Sequence, residues 1–136
     1  HDKFENINAH FMSSVISRSR YASKKLMVWG EGKEKRDFLY IDDLCSAIKN
    51  IMDRQKIKFD LVNVSYGKAF SVKNIVKKIK MYMGKRYNIF FDKKKPSIKI
   101  NILIDNSKMV RQYNWKPKIS IDNGIKKTVS WYLNNI

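Results

Sequence analysis

The residues best suited to chemistry lie in the stretch from Trp29 to Asp43, which reads WGEGKEKRDFLYIDD. Its glycines permit a tight turn after a short apolar segment, and Arg36 follows this turn just before a helix. A guanidinium at that point can bind a diphosphate through two parallel hydrogen bonds, and the indole of Trp29 offers a flat apolar face to a base or sugar. In the structural alternative, Trp29 is a core residue and Arg36 pairs with Asp42 or Asp43. Spacing alone slightly favours this alternative.

Few other residues in the chain are suited to catalysis or metal binding. One cysteine, Cys45, excludes an internal disulfide and a zinc site built from thiolates, and His1 and His10 are too few for a metal site, so no metal is expected. Cys45 lies within an apolar helical stripe and is interpreted as a core residue. Asp42 and Asp43 are interpreted as helix-capping residues, with Asp42 at the N-cap.

The net charge suggests an anionic partner. Lys and Arg number 29 against 12 Asp and Glu, which leaves a formal charge of +17. A nucleic-acid-binding module is therefore one hypothesis. Only six of the basic residues are Arg, and the lysines are spread over several helices, so a lysine-rich solvated surface is the favoured interpretation.

Length and composition indicate one globular α/β domain. The 136 residues are 43% hydrophobic, enough to bury a core, and no apolar run reaches the roughly 18–20 residues of a membrane span. No signal-peptide core is present, so a cytoplasmic protein without a membrane partner is expected. The chain opens on His1 instead of Met, which is interpreted as the start of a piece of a longer protein.

Helices alternate with short strands along the chain. The predicted helices are 8–21, one from Asp42 with an apolar stripe at positions 44, 47, 48, 51 and 52, one from Ser71 to Gly84, a short one from 105, and one from Ser120. The predicted strands or extended segments are 26–29, one ending at Tyr40, 59–64, 87–91 and 100–104.

The stretch from Trp29 to Ile48 also resembles a sequence block, W-G-x-G-x-x-x-R-[ED]-F-[LI]-[HY]-[VI]-D-D-[LM], of extended short-chain dehydrogenase/reductases that act on nucleotide sugars. Other segments resemble GDP-L-fucose synthases in the same order along nearly the whole chain. They are Asp2-Lys3-Phe4 with 8–10, 11–18, Asn63-Val64 with Ser71-Val72, and Trp115 to Ser120 with 124–125 and 131–133.

This resemblance implies the C-terminal, substrate-binding part of such an enzyme over residues 1–136, at the edge of a Rossmann-like doubly wound sheet. The family converts GDP-4-keto-6-deoxy-mannose to GDP-L-fucose by 3,5-epimerisation and NADPH-dependent 4-reduction. NADP(H) would be bound mainly by an N-terminal half that this chain lacks, because neither a G-x-x-G-x-x-G nor a Y-x-x-x-K motif is present. The full-length enzyme is expected to be a homodimer.

The resemblance also implies residue roles. His10 matches a general acid or base of epimerisation that lies near the nicotinamide, and its alternative is a surface or capping histidine. Arg18 matches a basic substrate contact, Trp29 a nucleotide contact and Arg36 the diphosphate contact. Ser97 stands where the family has a substrate-binding Asp.

The loop around Ser97 departs from the family pattern. Lys95 to Ile102 reads KPSIKINI where the family has K-P-D-G-[TM]-P-R-K, so the Asp, the Arg and the second Pro are replaced. The exact sugar is therefore open. Another nucleotide-sugar epimerase or dehydratase, or a non-catalytic partner protein, is an alternative.

Overall fold

The computed structural model describes residues 3–4, 9–97 and 100–136. These residues form five helices and four short strands, which confirms the α/β prediction. In chain order the elements are α1 (Phe11–Tyr21), β1 (Lys25–Trp29), β2 (Lys35–Asp37), α2 (Ile41–Arg54), β3 (Ala69–Ser71), α3 (Val72–Tyr82), β4 (Asn88–Asp92), α4 (Ser107–Tyr113) and α5 (Ile121–Asn135).

The chain divides into two compact units. Unit 1 comprises His1–Glu34, Ser71–Lys99 and Ile125–Ile136, and unit 2 comprises Lys35–Phe70 and Ile100–Gly124. Neither unit is a continuous stretch, so the division follows no linker in the sequence.

A parallel pair of strands forms the sheet of unit 1. β1 and β4 run in register from Lys25 opposite Asn88 to Trp29 opposite Asp92. The side chains of β1 alternate between the two faces of the sheet. Leu26 and Val28 are buried, and the other three are exposed. Parallel strands need a crossover connection, and α3 is the helix that precedes β4.

The prediction for α3 is confirmed from its N-cap to the glycine that follows its C-terminal end. The Ser71 hydroxyl accepts a hydrogen bond from the Asn74 N–H (3.2 Å), which satisfies one of the unpaired donors of the first turn. The predicted apolar face is buried, and the helix ends before Gly84, whose φ of +63° suits glycine. The residues of this face are Val72, Ile75, Val76, Ile79 and Met83.

Unit 2 is built on the short β2–β3 sheet and on α2, which packs against α4. Its buried cluster consists of Ala47, Met109, Tyr113 and Trp115, with Leu39, Ile51, Val62 and Val64 packed around it. The indole N–H of Trp115 donates to the Ser46 hydroxyl (2.9 Å), so the polar end of this buried ring is paired.

Three expectations for α2 are wrong. The N-cap is Tyr40 rather than Asp42, because the helix begins at Ile41, two residues earlier than an N-cap at Asp42 predicts. Cys45 is exposed rather than buried. The predicted apolar stripe is also only partly buried. Ala47 is fully buried, but Ile48 is 49% exposed and Met52 is 78% exposed.

Two predicted strands are absent from the described residues. Segments 59–64 and 100–104 adopt no regular strand, and Phe59 and Leu61 are more than three quarters exposed. An extended segment becomes a strand only when another strand accepts and donates its backbone hydrogen bonds. Val62 and Val64 are partly buried against the cluster of unit 2, so the apolar composition of 59–64 corresponds to partial burial and not to strand pairing.

Residues 1–2, 5–8 and 98–99 carry part of the resemblance and lie outside the described residues. Within the described ranges, no helix combines the length and the hydropathy that a membrane span requires.

Candidate functional site

Most of the expected site residues belong to unit 1, near the carboxyl ends of its two parallel strands. β1 ends at Trp29, and β4 ends at Asp92 opposite it. In open α/β sheets, ligands bind beyond the carboxyl ends of the strands. This edge is therefore the place in unit 1 where a ligand is expected.

Trp29 is a surface residue at this edge. Its side chain is 56% exposed, although the alternating neighbours of β1 are buried. The ammonium of Lys95 lies 5.8 Å from the centroid of its ring, within the range of a cation–π contact. The interpretation of Trp29 as a core residue is therefore wrong. An exposed indole beside a cation can receive a planar group and an anion together.

Asp92 holds the Lys93–Lys95 loop at the end of β4. Its side chain accepts a hydrogen bond from the Lys94 N–H (3.0 Å), and its carbonyl accepts from the N–H groups of Gly30 (2.9 Å) and Lys95 (3.3 Å). The position of Lys95 over Trp29 thus follows from the backbone of the loop. Sequence reasoning assigned this lysine run to surface composition and missed Lys95. The feature that could have identified Lys95 is the position of the lysine run directly after a predicted strand.

Ser97 lies against the turn that follows Trp29. A methyl group built on Gly30 would stand 2.5 Å from the Cβ of Ser97, and the φ of Gly30 is +85°. Only glycine allows this approach without displacing Ser97. The structure therefore brings Trp29, Lys95 and Ser97 to one edge of unit 1.

Arg18 joins α1 to β1. The exposed side chain donates from Nη2 to the carbonyl of Met27, two residues before Trp29. One guanidinium nitrogen is thus engaged with the strand backbone. A guanidinium has five N–H donors, so the same contact that orients the group leaves it able to bind an anion.

His10 lies at the opposite end of α1 from Arg18. It is exposed at the N-cap, its side chain makes no capping bond, and its carbonyl accepts from the Ser14 N–H (2.9 Å) and the Ser13 hydroxyl (2.9 Å). Eight residues of helix separate it from Arg18, or about 12 Å along the axis. The structure therefore does not group His10 with Arg18 and Trp29.

Arg36 belongs to unit 2, at the centre of β2, and its side chain is partly buried. Of its two expected partners, Asp43 is occupied elsewhere. The Asp43 carboxylate accepts hydrogen bonds from the N–H groups of Lys118 (3.0 Å) and Ile119 (2.9 Å). Asp43 thus anchors the segment before α5, a structural role that capping alone did not predict.

The described residues contain no group of three or more His, Cys, Asp or Glu side chains placed to hold a metal ion. At two glycine turns of the described residues, another side chain already occupies the space beside the glycine. The close approach at Gly30 is filled by Ser97, and that at Gly32 by the ring of Phe91, whose atoms would lie 2.3 Å from an added methyl group.

Comparison with known proteins places this chain in a family. The family model described as GDP-mannose 4,6 dehydratase matches residues 3–128. The chain therefore belongs to the GDP-mannose 4,6 dehydratase family.

Two individual relatives illustrate which enzymes the chain is similar to. The chain is 33% identical over 139 residues to a putative GDP-L-fucose synthase 2 of Arabidopsis thaliana, covering 99% of this chain and 42% of the relative. It is 34% identical over 122 residues to a putative UDP-glucose 4-epimerase of Methanocaldococcus jannaschii, covering 90% of this chain and 39% of the relative. The chain thus spans about two fifths of the length of each of these two relatives.

Solved structures confirm the fold. A GDP-L-fucose synthetase from Naegleria fowleri bound to NADP matches 99% of this chain with a TM-score of 0.90, at 23% identity, and 43% of that protein is covered. The α/β fold of this chain is therefore the fold of the matching part of that structure.

Proposed function

We propose that this chain is the C-terminal, nucleotide-sugar-binding part of a GDP-L-fucose synthase. The full-length enzyme would convert GDP-4-keto-6-deoxy-D-mannose to GDP-L-fucose by 3,5-epimerisation and NADPH-dependent 4-reduction. The observation that carries the proposal is the edge of unit 1, where an exposed Trp29, Lys95 and Ser97 meet at the carboxyl ends of parallel strands.

The binding roles follow from the chemistry of these groups. The exposed indole of Trp29 would stack on the nucleotide, and the ammonium of Lys95 over the same ring would face its phosphates. Arg36 would bind the diphosphate through its guanidinium fork, and Arg18 would be a basic substrate contact. Ser97 would contact the sugar through a neutral hydroxyl, where the Asp of the family would be a charged acceptor.

His10 would move protons at the carbons next to the ketone. Such protons are acidic, and an imidazole is the side chain best suited to general acid–base exchange near neutral pH. Its exposed position and lack of a capping bond leave its ring accessible.

The cofactor of the proposed enzyme is NADP(H), which supplies the hydride for reduction. Among the described residues, Ser97 and Phe91 fill the approaches to Gly30 and Gly32, so neither of these two turns offers an open glycine cradle. We therefore assign cofactor binding to a preceding dinucleotide-binding part, with His10 as the expected contact from this chain to the nicotinamide.

Unit 2 supports the existence of such a part. Five large apolar side chains of α2 and the segment after it are between 49% and 78% exposed, an apolar surface that soluble proteins usually cover. The residues are Ile48, Met52, Ile57, Phe59 and Leu61. We propose that the dinucleotide-binding part of the same protein covers them, because the relatives are more than twice as long as the matched region.

The deciding experiment assays NADPH oxidation by the enzyme from the full reading frame with GDP-4-keto-6-deoxy-mannose. Replacing Arg36 by Ala should reduce kcat/KM by about 10–100-fold, the cost of losing charge-assisted hydrogen bonds to phosphate. Arg54→Ala is the matched control, because Arg54 is an exposed arginine in the last turn of α2. A reading frame without upstream Gly-rich and Tyr/Lys motifs would contradict the enzyme proposal.

The second candidate is another nucleotide-sugar epimerase or dehydratase. Ser97 in place of the Asp favours it, and so does the similarity to a putative UDP-glucose 4-epimerase. Turnover of UDP-glucose with no turnover of the GDP-sugar would establish this alternative.

The proposal includes a cytoplasmic homodimer without nucleic-acid or membrane partners. Light scattering coupled to size-exclusion chromatography of the full-length enzyme tests the dimer. A salt-titrated nucleic-acid binding assay tests the other hypothesis raised by the +17 charge. Retention of duplex or single strands at physiological salt would favour that hypothesis.

A further inference from the structure

We propose that Asp37 and Asn101 are positioning residues that aim the Arg36 guanidinium at the nucleotide diphosphate. The inference rests on the proposed function, in which Arg36 binds that group. It concerns two residues to which neither composition nor spacing assigns a role, and the hydrogen bonds of Lys35 and Asp37 that carry it lie within unit 2.

β2 by itself is too short to hold Arg36 in one direction. It comprises only three residues and pairs with a strand of three residues, β3. So short a ladder has few backbone hydrogen bonds to resist rotation or fraying. A bidentate grip on a phosphate requires a guanidinium whose plane and direction are already set, so another source of rigidity is needed.

The residue before Arg36 is fixed by the segment at Asn101. The Oδ1 of Asn101 accepts a hydrogen bond from the Lys35 N–H (2.9 Å), and the Lys35 carbonyl accepts from the Ile102 N–H (2.9 Å). Both backbone polar groups of Lys35 are therefore held, one by a side chain and one by the backbone. This segment comes from 66 residues further along the chain.

The residue after Arg36 is fixed by a carboxylate. The two oxygens of Asp37 accept hydrogen bonds from the N–H groups of Tyr66 (2.8 Å) and Gly67 (2.9 Å). Consecutive N–H groups that converge in a turn form a concave anion site, and here the anion is the protein's own side chain. Asp37 thus binds the turn with two charge-assisted hydrogen bonds.

The turn that receives Asp37 is itself rigid. The Nδ2 of Asn106 donates to the Ser65 carbonyl (3.0 Å), and the Ser65 hydroxyl donates to the Ile104 carbonyl (2.9 Å). Gly67 has a φ of +76°, and an added methyl group would lie 2.8 Å from Nδ2 of Asn106. The anchor of Asp37 therefore cannot shift without breaking several contacts.

Arg36 lies between these two anchors. Successive side chains of a strand point to opposite faces, so when Asp37 is held against the turn, Arg36 is directed to the other face. Two hydrogen bonds on each flanking residue hold the strand on both sides of Arg36, and with it the face from which the Arg36 side chain leaves the strand. Pre-organisation of this kind lowers the entropy lost when a ligand binds.

A double-mutant cycle separates positioning from general destabilisation. The affinity of the full-length enzyme for GDP is measured calorimetrically for wild type, Asp37→Asn, Arg36→Ala and the double variant. If Asp37 acts through Arg36, Asp37→Asn weakens GDP binding about tenfold in the wild type and less than about twofold once Arg36 is absent. Equal losses in both backgrounds would overturn the inference and leave the proposed function intact.

Two matched variants complete the test. Asp53→Asn makes the same chemical change at an exposed Asp whose partner is Lys49 (2.9 Å), and it should leave GDP affinity unchanged. Asn101→Ala should weaken GDP binding. Asn101→Asp keeps an acceptor for the Lys35 N–H and should therefore bind GDP as tightly as wild type.

The outcomes are distinguishable even if one variant is unstable. If Asp37→Asn does not fold, the cycle is run with Asn101→Ala and Arg36→Ala. Wild-type affinity in Asn101→Ala would contradict the inference, as would an unchanged affinity in Arg36→Ala. If the cycle behaves as expected but the enzyme does not turn over GDP-4-keto-6-deoxy-mannose, only the proposed reaction is contradicted.

Discussion

The two units of this chain are stabilised by different means. Unit 1 has an apolar interior in which Ile16, Ile75, Val76 and Ile79 are fully buried, and the Tyr87 hydroxyl donates to the buried Ser19 hydroxyl (2.9 Å). Burial raises the pKa of Tyr87 above its ordinary value. Unit 2 has a smaller buried cluster and is held together by aspartates.

Three carboxylates in unit 2 each accept two hydrogen bonds from distant parts of the chain. Asp37 holds the turn at 66–67, Asp43 holds the backbone at 118–119, and Asp60 accepts from the Tyr113 hydroxyl (2.7 Å) and pairs with Lys108. Unit 1 therefore depends mainly on apolar packing, whereas unit 2 depends on hydrogen bonds to carboxylates.

The largest expected effect is in the core of unit 1. Replacing Ile75 by Ala removes a fully buried side chain and should lower the free energy of unfolding by about 2–5 kcal/mol. Met81→Ala, on the exposed side of the same helix, should change it by less than about 0.5 kcal/mol. Hydrogen exchange of peptides from α3 measures both, and equal effects would show that unit 1 does not depend on this packing.

Asp43→Ala tests the polar anchors of unit 2. It leaves the N–H groups of Lys118 and Ile119 without their acceptor and removes a negative charge from the first turn of α2, at a cost of about 2–4 kcal/mol. Loss of exchange protection should be confined to unit 2. Asp53→Ala, which removes only an exposed ion pair with Lys49, should cost less than about 1 kcal/mol.

Acid should affect unit 2 before unit 1. The hydrogen bonds from Lys108 and Tyr113 hold the pKa of Asp60 below its ordinary value, and those from Ser107 do the same for Asp105. A lowered pKa contributes stability that is present above the unfolded value of about 4 and is lost as the pH falls through the folded value. Unit 2 should therefore lose protection first below about pH 4.

Asp60→Asn is the control for this comparison. The variant should be less stable than wild type at pH 7, and the difference should shrink as the pH falls, because the wild-type carboxylate is then protonated too. A constant difference between pH 7 and pH 2 would show that Asp60 is not the titrating group. This is the smallest of the expected effects, since the surrounding ion pair is partly exposed.

Local sequence signals predicted the helices well. α3 has its cap, its apolar face and its stop in consecutive residues, and each is formed by interactions within one or two turns. The strands at 59–64 and 100–104 were wrong because pairing depends on a second strand that no local pattern specifies. For the same reason the sequence did not predict whether Trp29 is exposed, because its neighbours in the chain are compatible with a core position and with a surface position.

The candidate site shows the same division. The glycine-flanked stretch before Arg36 and the lysine run after β4 are visible in the sequence, and so is the helix that carries Arg18. The contacts of Lys95 with Trp29 and of Asp37 with Gly67 are not visible, because they join residues 66 and 30 positions apart. Residue type indicated a diphosphate site, and geometry indicated the neighbours that orient it.

The sequence by itself determined where the helices lie, which of their faces are apolar, and which residue types are available to bind an anion. These properties depend on periodicity and on interactions within a few residues. Only the tertiary structure decided that Trp29 is exposed, that Ser97 lies against Gly30, and that aspartates anchor unit 2. Such contacts form only when segments that are distant in the sequence pack together. The free energy of that packing depends on both segments, so neither one predicts it alone.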